Sequence, residues 1–434
     1  MSTKQKKCSR RDFLKITGAA GIGSALASIG NVAGAAAPEG SKNAGLKLVP
    51  TRPFGKTGEH VSMLSFGGSQ NLKSKQLLLR QAFKMGVTYW DTAETYSGGQ
   101  SEQAMGKYFA KYPEDRKKIF LVTKARTSDP EELSRYLDQS LERLKTAYVD
   151  LYFVHMVSNV KEQLTKATKA WAEKAKADGK IRFFGFSTHK NMENNLMEGA
   201  KLGWIDGIMT SYNYRLMHSD DMKKAVEACA EAGVGLTAMK TQAKFFAYFY
   251  ADIGREHEAA KALTDRFMKK GFTFEQAKLK AVWENPHIAS ICSEMTNLAI
   301  LQANVAAAPD QIDLSFQDRQ LLERYARATA PGYCAGCGNV CESAVKEIVP
   351  ISDIMRYLMY HDEYGNQQRA ARQFNDLHPV ARKRLADIDY SEAEQLCPQK
   401  MPIARLMNRA AEIFINQKIG YHTRKPIIRQ FIKV

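Results

Sequence analysis

The sequence predicts an α/β protein: a (β/α)8 TIM barrel followed by a small, mainly helical C-terminal domain. Three observations carry this prediction. The 434 residues are too many for one small core, and they suit a barrel of about 250 residues plus a smaller domain. Short apolar runs alternate with amphipathic helical stretches from residue 60 to residue 308, and most of the cysteines follow residue 330. We place a leader at 1–37, a linker at 38–50, the barrel at 51–325 and the C-terminal domain at 326–434.

Eight apolar runs have the length and composition of buried strands, and most are followed by a helical pattern such as Lys75–Lys84 or Pro130–Leu144. Eight β-then-α units predict a closed parallel barrel, in which active sites lie at the carboxyl ends of the strands. The predicted strands are Val61–Phe66, Val87–Trp90, Ile119–Thr123, Asp150–Val154, Ile181–Phe186, Ile205–Thr210, Gly235–Met239 and Ile288–Cys292.

The composition is that of a soluble globular protein with a basic surface. Apolar residues make up 44% and charged residues 25%, and the formal net charge is +17. The Lys and Arg residues are scattered and no nucleic-acid motif accompanies them, so we favour a solvated basic surface over an acidic partner. No apolar run reaches the roughly 18 residues of a membrane span, and no stable span is expected.

The N-terminus has the layout of a signal peptide. Arg10 and Arg11 form a twin-arginine motif, a weakly apolar run follows at 16–30, and small residues at 33–37 suit a peptidase. The motif predicts export to the periplasm or otherwise out of the cytoplasm by the twin-arginine (Tat) route. It also predicts a cofactor that is inserted before export. The alternative is an uncleaved amphipathic helix.

Four ionisable residues follow three successive predicted strands. Asp91 ends the second strand and Tyr96 lies on the loop after it; Lys124 ends the third strand and His155 the fourth. Each residue alone is ordinary, since a lysine after a strand is usually solvated and a lone histidine is usually structural. Because these strand ends meet at one rim of a barrel, we expect the four side chains to form a catalytic site.

The segments around these residues resemble aldo/keto reductases over about residues 51–308. The matching stretches are 54–68, 91–107, 140–155 and 179–187. The resemblance implies that Tyr96 protonates a carbonyl oxygen as hydride reaches the carbon, and that His155 donates a hydrogen bond to that oxygen. It further implies that Lys124 lowers the pKa of Tyr96 and that Asp91 orients Lys124.

The resemblance also implies a nicotinamide cofactor, NADP or NAD, held by Ser187, Asn213 and Lys240. The sequence departs from the family in this region. Met209 stands where a glutamine is usual, and the aromatic run 245–250 replaces a glycine-rich loop. Glu294 is an unfavourable neighbour for the extra phosphate of NADP, because like charges repel. The aromatic run is expected either to line a substrate or partner site or to pack locally.

Four cysteines of the C-terminal domain have the spacing of metal ligands. Cys334, Cys337 and Cys341 form a C-x₂-C-x₃-C run, and Cys397 precedes a proline. Four thiolates in this pattern predict one 4Fe–4S cluster, and the region resembles the ferredoxin-like module of iron–sulfur aldo/keto reductases. The alternatives are a structural zinc ion or disulfides. The stretches 351–361 and 366–377 are predicted to be helices between the two half-sites.

Two functions follow from these features. The first is an exported oxidoreductase of the aldo/keto reductase type, which interconverts a small-molecule carbonyl and an alcohol and carries one cluster. The second is a periplasmic electron-transfer or binding subunit, in which the barrel is vestigial and the cluster docks to a redox partner protein. Departures in the cofactor pocket favour the second function, whereas the intact set of four rim residues favours the first.

Overall fold

The computed structural model describes residues 47–244, 255–308, 313–346 and 348–416. The leader and the aromatic run 245–250 lie outside the described residues, so the expectations for them remain predictions. A short antiparallel hairpin, β1 (Thr51–Pro53) and β2 (His60–Ser62), precedes the barrel.

Eight parallel strands close into a barrel in the order β10-β3-β4-β5-β6-β7-β8-β9. The barrel closes where β10 pairs with β3, with Ile291 opposite Leu64. This confirms the predicted (β/α)8 fold, and seven of the eight strands lie within about two residues of their predicted bounds. The strands are β3 (Leu64–Gly67), β4 (Tyr89–Asp91), β5 (Phe120–Ala125), β6 (Val149–Val154), β7 (Ile181–Thr188), β8 (Gly207–Ser211), β9 (Gly235–Met239) and β10 (Ile288–Ser293).

The first predicted strand differs most, because Val61 belongs to the hairpin and not to the barrel. Phe54, between the two hairpin strands, is fully buried at the start of the barrel strands. A Cβ atom on Gly207 or Gly235 would lie 2.8 Å or 2.6 Å from the Phe54 ring. Glycine at these two strand starts therefore lets the ring fill the barrel floor.

Amphipathic helices surround the strands. In the helix Pro130–Leu144, the side chain of Asp129 caps the N-terminus, proline occupies the first turn, and Leu133, Leu137 and Leu144 face the strands. The helices of this part are α1 (Gln76–Lys84), α2 (Gln100–Lys111), α3 (Pro113–Arg116), α4 (Pro130–Leu144), α5 (Val160–Gln163), α6 (Lys166–Ala177), α7 (Met192–Lys201), α8 (Asp220–Glu231), α9 (Arg255–Lys269), α10 (Phe274–Trp283), α11 (Leu298–Ala307) and α12 (Phe316–Ala328).

The residues after 338 form further helices around a hydrophobic core of their own, which includes Ile354, Leu358, Phe374, Leu406 and Met407. The two helices predicted here are present with ends shifted by one or two residues. The helices are α13 (Gly338–Cys341), α14 (Ile351–Asp362), α15 (Gln367–Asn375), α16 (Pro379–Lys383), α17 (Ser391–Leu396) and α18 (Ile403–Ala411). Within the described ranges, no helix is long and apolar enough to cross a membrane.

The cysteine run packs directly on the loop between β7 and α7. Gly336 accepts a hydrogen bond from the backbone N–H of Asn191 (2.8 Å), and Lys190 forms an ion pair with Glu342. Gly336 has φ of +79°, and a Cβ atom there would lie 2.5 Å from the carbonyl oxygen of His189. Only glycine allows this close approach of the cysteine run to the mouth of the barrel.

Candidate active site

The four predicted rim residues come together at the carboxyl ends of the strands. Asp91 ends β4, Lys124 lies in β5, His155 follows β6, and Tyr96 lies on the loop after β4. The rings of Tyr96 and His155 are 5.7 Å apart edge to face, and the Lys124 ammonium lies 5.2 Å from the centre of the Tyr96 ring. The structure therefore places an acid, a cation and an imidazole around one space.

A buried ion pair supports this arrangement. Lys124 is fully buried and donates hydrogen bonds to the Asp91 carboxylate and to the carbonyl oxygen of Thr92 (2.8 Å). Burial raises the pKa of Asp91, and the Lys124 ammonium opposes that shift. A buried ammonium is tolerated only with such partners, so Asp91 fixes the position of Lys124 below Tyr96.

The pKa of Tyr96 differs from the sequence-based expectation. Burial raises it well above the ordinary value, and the charge of Asp91 raises it further, whereas Arg369 lowers it. Lys124 lies against the ring and gives its hydrogen bonds to Asp91 and Thr92, so it does not stabilise a phenolate in the way that we expected. Tyr96 is therefore protonated at neutral pH, which suits a residue that donates a proton.

His155 is neutral in this environment. Burial lowers its pKa well below the ordinary value, and the nearby cations Lys124 and Arg369 lower it further. Its Nδ1 atom is buried and has no hydrogen-bond partner among the residues that the structure describes. A buried, unsatisfied ring nitrogen beside Tyr96 is available to a polar group of a ligand.

The three residues predicted to hold a nicotinamide are engaged by other parts of the chain. The Ser187 hydroxyl accepts the N–H of Met156 (3.0 Å). Asn213 donates to the Tyr333 hydroxyl (2.8 Å) and to the Lys240 carbonyl oxygen (3.2 Å), and the Lys240 ammonium donates to Tyr360 (2.9 Å).

Tyr333 and Tyr360 thus hold two of the three side chains that the cofactor would need. As they stand, these residues do not fit a nicotinamide bound in the family manner. Met209, which replaces the usual glutamine, packs inside the barrel with 2% of its surface exposed, and Glu294 is exposed. A small cavity remains at this side of the mouth, and its lining includes His189, Ser211, Lys240, Tyr333 and Arg356.

Sequence analysis missed the residues that cover the rim from the C-terminal part. Tyr360 and Arg356 lie on α14, and Arg369 lies on α15. The Arg369 guanidinium is 4.4 Å from the Tyr360 ring and 5.7 Å from the Tyr96 ring. The pattern of α14 and α15 predicts amphipathic helices, but it contains no signal that orients their basic side chains toward the barrel.

The four predicted metal-ligating cysteines are free thiols, so the structure shows no disulfide among them. Cys341 and Cys397 are buried, while Cys334 and Cys337 are partly buried. Burial raises the pKa of Cys334, Cys337 and Cys341, and each of these thiols also interacts electrostatically with Cys397. Across the described ranges, no group of three or more His, Cys, Asp or Glu residues is arranged to hold a metal ion.

Comparison with known proteins agrees with the barrel fold. Residues 62–316 match the model of the aldo/keto reductase family. Relatives include the aldo-keto reductase yakc [NADP(+)] of Schizosaccharomyces pombe, 29% identical over 40% of this chain and 52% of its own length. Another is L-galactose dehydrogenase of Arabidopsis thaliana, 24% identical over 63% of this chain and 93% of its own length. The chain thus spans only about half of the yakc reductase.

Solved structures share the fold. The thermostable aldo-keto reductase Tm1743, in complex with the inhibitor epalrestat, is 26% identical with a TM-score of 0.51 and covers 64% of this chain and 99% of its own. An aldo-keto reductase of Klebsiella pneumoniae in complex with NADPH is 23% identical with a TM-score of 0.51, over 64% of this chain and 95% of its own. The family model covers more than half of the sequence, and the chain belongs to the aldo/keto reductase family of oxidoreductases.

Proposed function

We propose that the chain interconverts a small-molecule carbonyl compound and the corresponding alcohol at the mouth of the barrel. The observation that carries the proposal is the convergence of Tyr96, His155 and the Lys124–Asp91 pair on one space. The rim combines a protonated phenol and a neutral imidazole, which can give a proton and a hydrogen bond to the oxygen of a substrate. The intact set of four residues disfavours a vestigial barrel.

Tyr96 would move the proton in this reaction. In the reducing direction it donates its phenolic proton to the substrate oxygen as the carbon gains an electron pair, and in the oxidising direction it takes that proton back. His155 would hydrogen-bond the same oxygen and stabilise the negative charge that develops there. Lys124, held by Asp91 against the Tyr96 ring, would fix the position of the phenol.

A nicotinamide is the group that supplies hydride in this family, and NADP is the form to test first. One relative is named for NADP(+), and one solved structure of the same fold holds NADPH. In this chain Asn213 and Lys240 are engaged by Tyr333 and Tyr360. NAD, or single electrons from a redox partner protein, are the alternatives for the same test.

The C-terminal cysteines are proposed to hold one 4Fe–4S cluster, with zinc as the alternative. The C-x₂-C-x₃-C spacing and the Cys397-Pro398 pair support this proposal. Cys334, Cys337, Cys341 and Cys397 would provide the thiolates.

We also propose export by the twin-arginine route, on the strength of Arg10, Arg11 and the apolar run after them.

The catalytic proposal is tested by Tyr96→Phe. Removal of the general acid should lower the turnover of aldehydes and ketones about 10²- to 10⁴-fold while the fold persists. The matched control is Tyr152→Phe on β6. Its buried hydroxyl has no hydrogen-bond partner among the described residues, so turnover should not change. Equal activity of Tyr96→Phe and the wild type would exclude Tyr96 as the acid.

The cofactors are tested by anaerobic purification, visible spectroscopy, assays for iron, sulfide and zinc, and extraction of bound nicotinamide. About four irons per chain, with absorbance that bleaches on reduction, would support the cluster. Zinc without sulfide would show that the cysteines hold a structural zinc ion and not a cluster. A different result would be a cluster, no nicotinamide in the extract, and no turnover when nicotinamide is added. It would indicate that a protein partner supplies the electrons.

A further inference from the structure

Helices α14 and α15 bring positive charge to the space beside Tyr96. Arg369 contacts the Tyr96 and Tyr360 rings, Lys240 is bonded to the Tyr360 hydroxyl, and Arg356 lines the adjoining cavity with Lys240. Lys240 directly follows β9 of the barrel, whereas Arg356 lies on α14 and Arg369 on α15. They are therefore assembled by the packing of the two parts of the chain.

Among the described residues, one carboxylate pairs with these three cations, and the Tyr360 phenol lies between Lys240 and Arg369. Arg356 is 8% exposed and pairs with Asp353 (2.5 Å), while its Nε atom has no hydrogen-bond partner in the described ranges. Within the same ranges, neither Lys240 nor Arg369 forms an ion pair with a carboxylate. Three buried or half-buried cations with one carboxylate and one phenol between them are costly to bury, and an anionic ligand would relieve that cost.

The titration of neighbouring groups reports the same imbalance. Burial would raise the pKa of Tyr360, but Lys240, Arg369 and Arg356 together lower it to about 7. Burial lowers the pKa of His189 well below its ordinary value, and Arg356 and Lys240 lower it further. The space is thus electropositive on the side of the phenol and on the side of the imidazole.

We propose that the substrate is an anion, a carbonyl compound or hydroxy compound with a carboxylate close to the reacting carbon. Arg369 binds the carboxylate, and Tyr96 and His155 bind the reacting oxygen. The carboxylate must lie close to the reacting carbon, because the Arg369 guanidinium is only 5.7 Å from the Tyr96 ring. Charge-assisted hydrogen bonds from a guanidinium are suited to a carboxylate. This inference rests on the proposed carbonyl chemistry, since it shares Tyr96 and His155 with it.

Calorimetric titration of the full chain, purified anaerobically with its own cofactors, tests the proposal without turnover. The probes are mandelate and its neutral analogue phenylethylene glycol, in which a hydroxymethyl group replaces the carboxylate. Mandelate should bind more tightly than the glycol. Arg369→Gln should weaken mandelate binding about 10- to 100-fold and leave the glycol unchanged, because a charge-assisted hydrogen bond is lost. Arg369→Lys, which keeps the charge, should recover most of the binding.

The matched control is Arg372→Gln, which removes the same charge from an exposed position on α15. It should leave mandelate binding unchanged. Equal binding of the two probes, or equal weakening by the two glutamine variants, would overturn the proposal. Binding of inorganic pyrophosphate in place of mandelate, with the same dependence on Arg369, would also overturn it and assign the cations to a dinucleotide. Mandelate binding without any carbonyl turnover would instead contradict the proposed function and leave the anion site standing.

Discussion

Two tyrosines at the mouth of the barrel, one from each part of the chain, have opposite acidities. Burial and the Asp91 charge raise the pKa of Tyr96, whereas Lys240, Arg369 and Arg356 overcome burial and lower the pKa of Tyr360 to about 7. The guanidinium of Arg369 contacts both rings. Burial alone therefore does not set the acidity of a phenol, and the charges bonded to it decide the direction.

The comparison also separates the two parts of the chain by role. The barrel supplies Tyr96, with its Lys124 cation already neutralised by Asp91. The C-terminal helices supply Tyr360 and two arginines, with Asp353 as the carboxylate that pairs with Arg356. The barrel side is thus suited to holding a proton, and the C-terminal side is suited to attracting an anion.

The largest change in stability is expected when the Lys124–Asp91 ion pair of the barrel is broken. Lys124→Met leaves the Asp91 carboxylate buried without its partner, and should lower the free energy of unfolding by about 3–5 kcal/mol. Urea denaturation of the wild type and the variant measures the change. The double variant Lys124→Met/Asp91→Leu removes both charges and should recover much of the stability. A single variant as stable as the wild type would show that Asp91 is already protonated in the folded protein.

The next effect concerns the C-terminal side. Lys240→Met removes the ammonium bonded to Tyr360, and the pKa of that phenol should rise by about one unit or more from its value of about 7. Ultraviolet titration of tyrosinate measures the shift, and Tyr360→Phe identifies the step by abolishing it. If the same titration step persists in Lys240→Met, Arg369 and Arg356 are sufficient to lower the pKa of Tyr360.

The sign of the accompanying stability change follows from the depressed pKa. The ordinary pKa of tyrosine is about 10, so the ionised Tyr360 stabilises the folded state fully above pH 10, and this contribution is lost as the pH falls through about 7. The stability of the wild type relative to Tyr360→Phe should therefore increase between these two pH values. A difference that stays constant with pH would contradict the low pKa.

The two sides also differ in how well the sequence predicted them. The barrel follows from the period of its apolar runs, and Asp91, Lys124 and His155 follow from their places at strand ends, which a barrel brings together. Tyr360 and Arg369 lie more than two hundred residues from Tyr96 in the chain. The amphipathic pattern of their helices predicts which face is buried in the C-terminal core, but not where that core docks on the barrel.

The same limit explains two differences at the mouth. The resemblance assigned Asn213 and Lys240 to a cofactor, and neither sequence pattern predicts that Tyr333 and Tyr360 would bond to them. The expected lowering of the Tyr96 pKa relied on proximity of Lys124. It did not include the hydrogen bonds that direct the ammonium to Asp91 and Thr92.

The smallest effect is expected where the two sides meet, at the hydrogen bond from Asn213 to Tyr333. Tyr333→Phe removes the acceptor hydroxyl from a buried amide and should lower the free energy of unfolding by about 1–2 kcal/mol. Tyr214→Phe is the control, because its buried hydroxyl has no partner among the described residues and its loss should be nearly neutral.

If Tyr333 also blocks the place of a nicotinamide, Tyr333→Ala should strengthen NADPH binding in calorimetry. If NADPH binding is unchanged in that variant, the hydrogen bond from Lys240 to Tyr360 on α14 is the contact that excludes the nicotinamide.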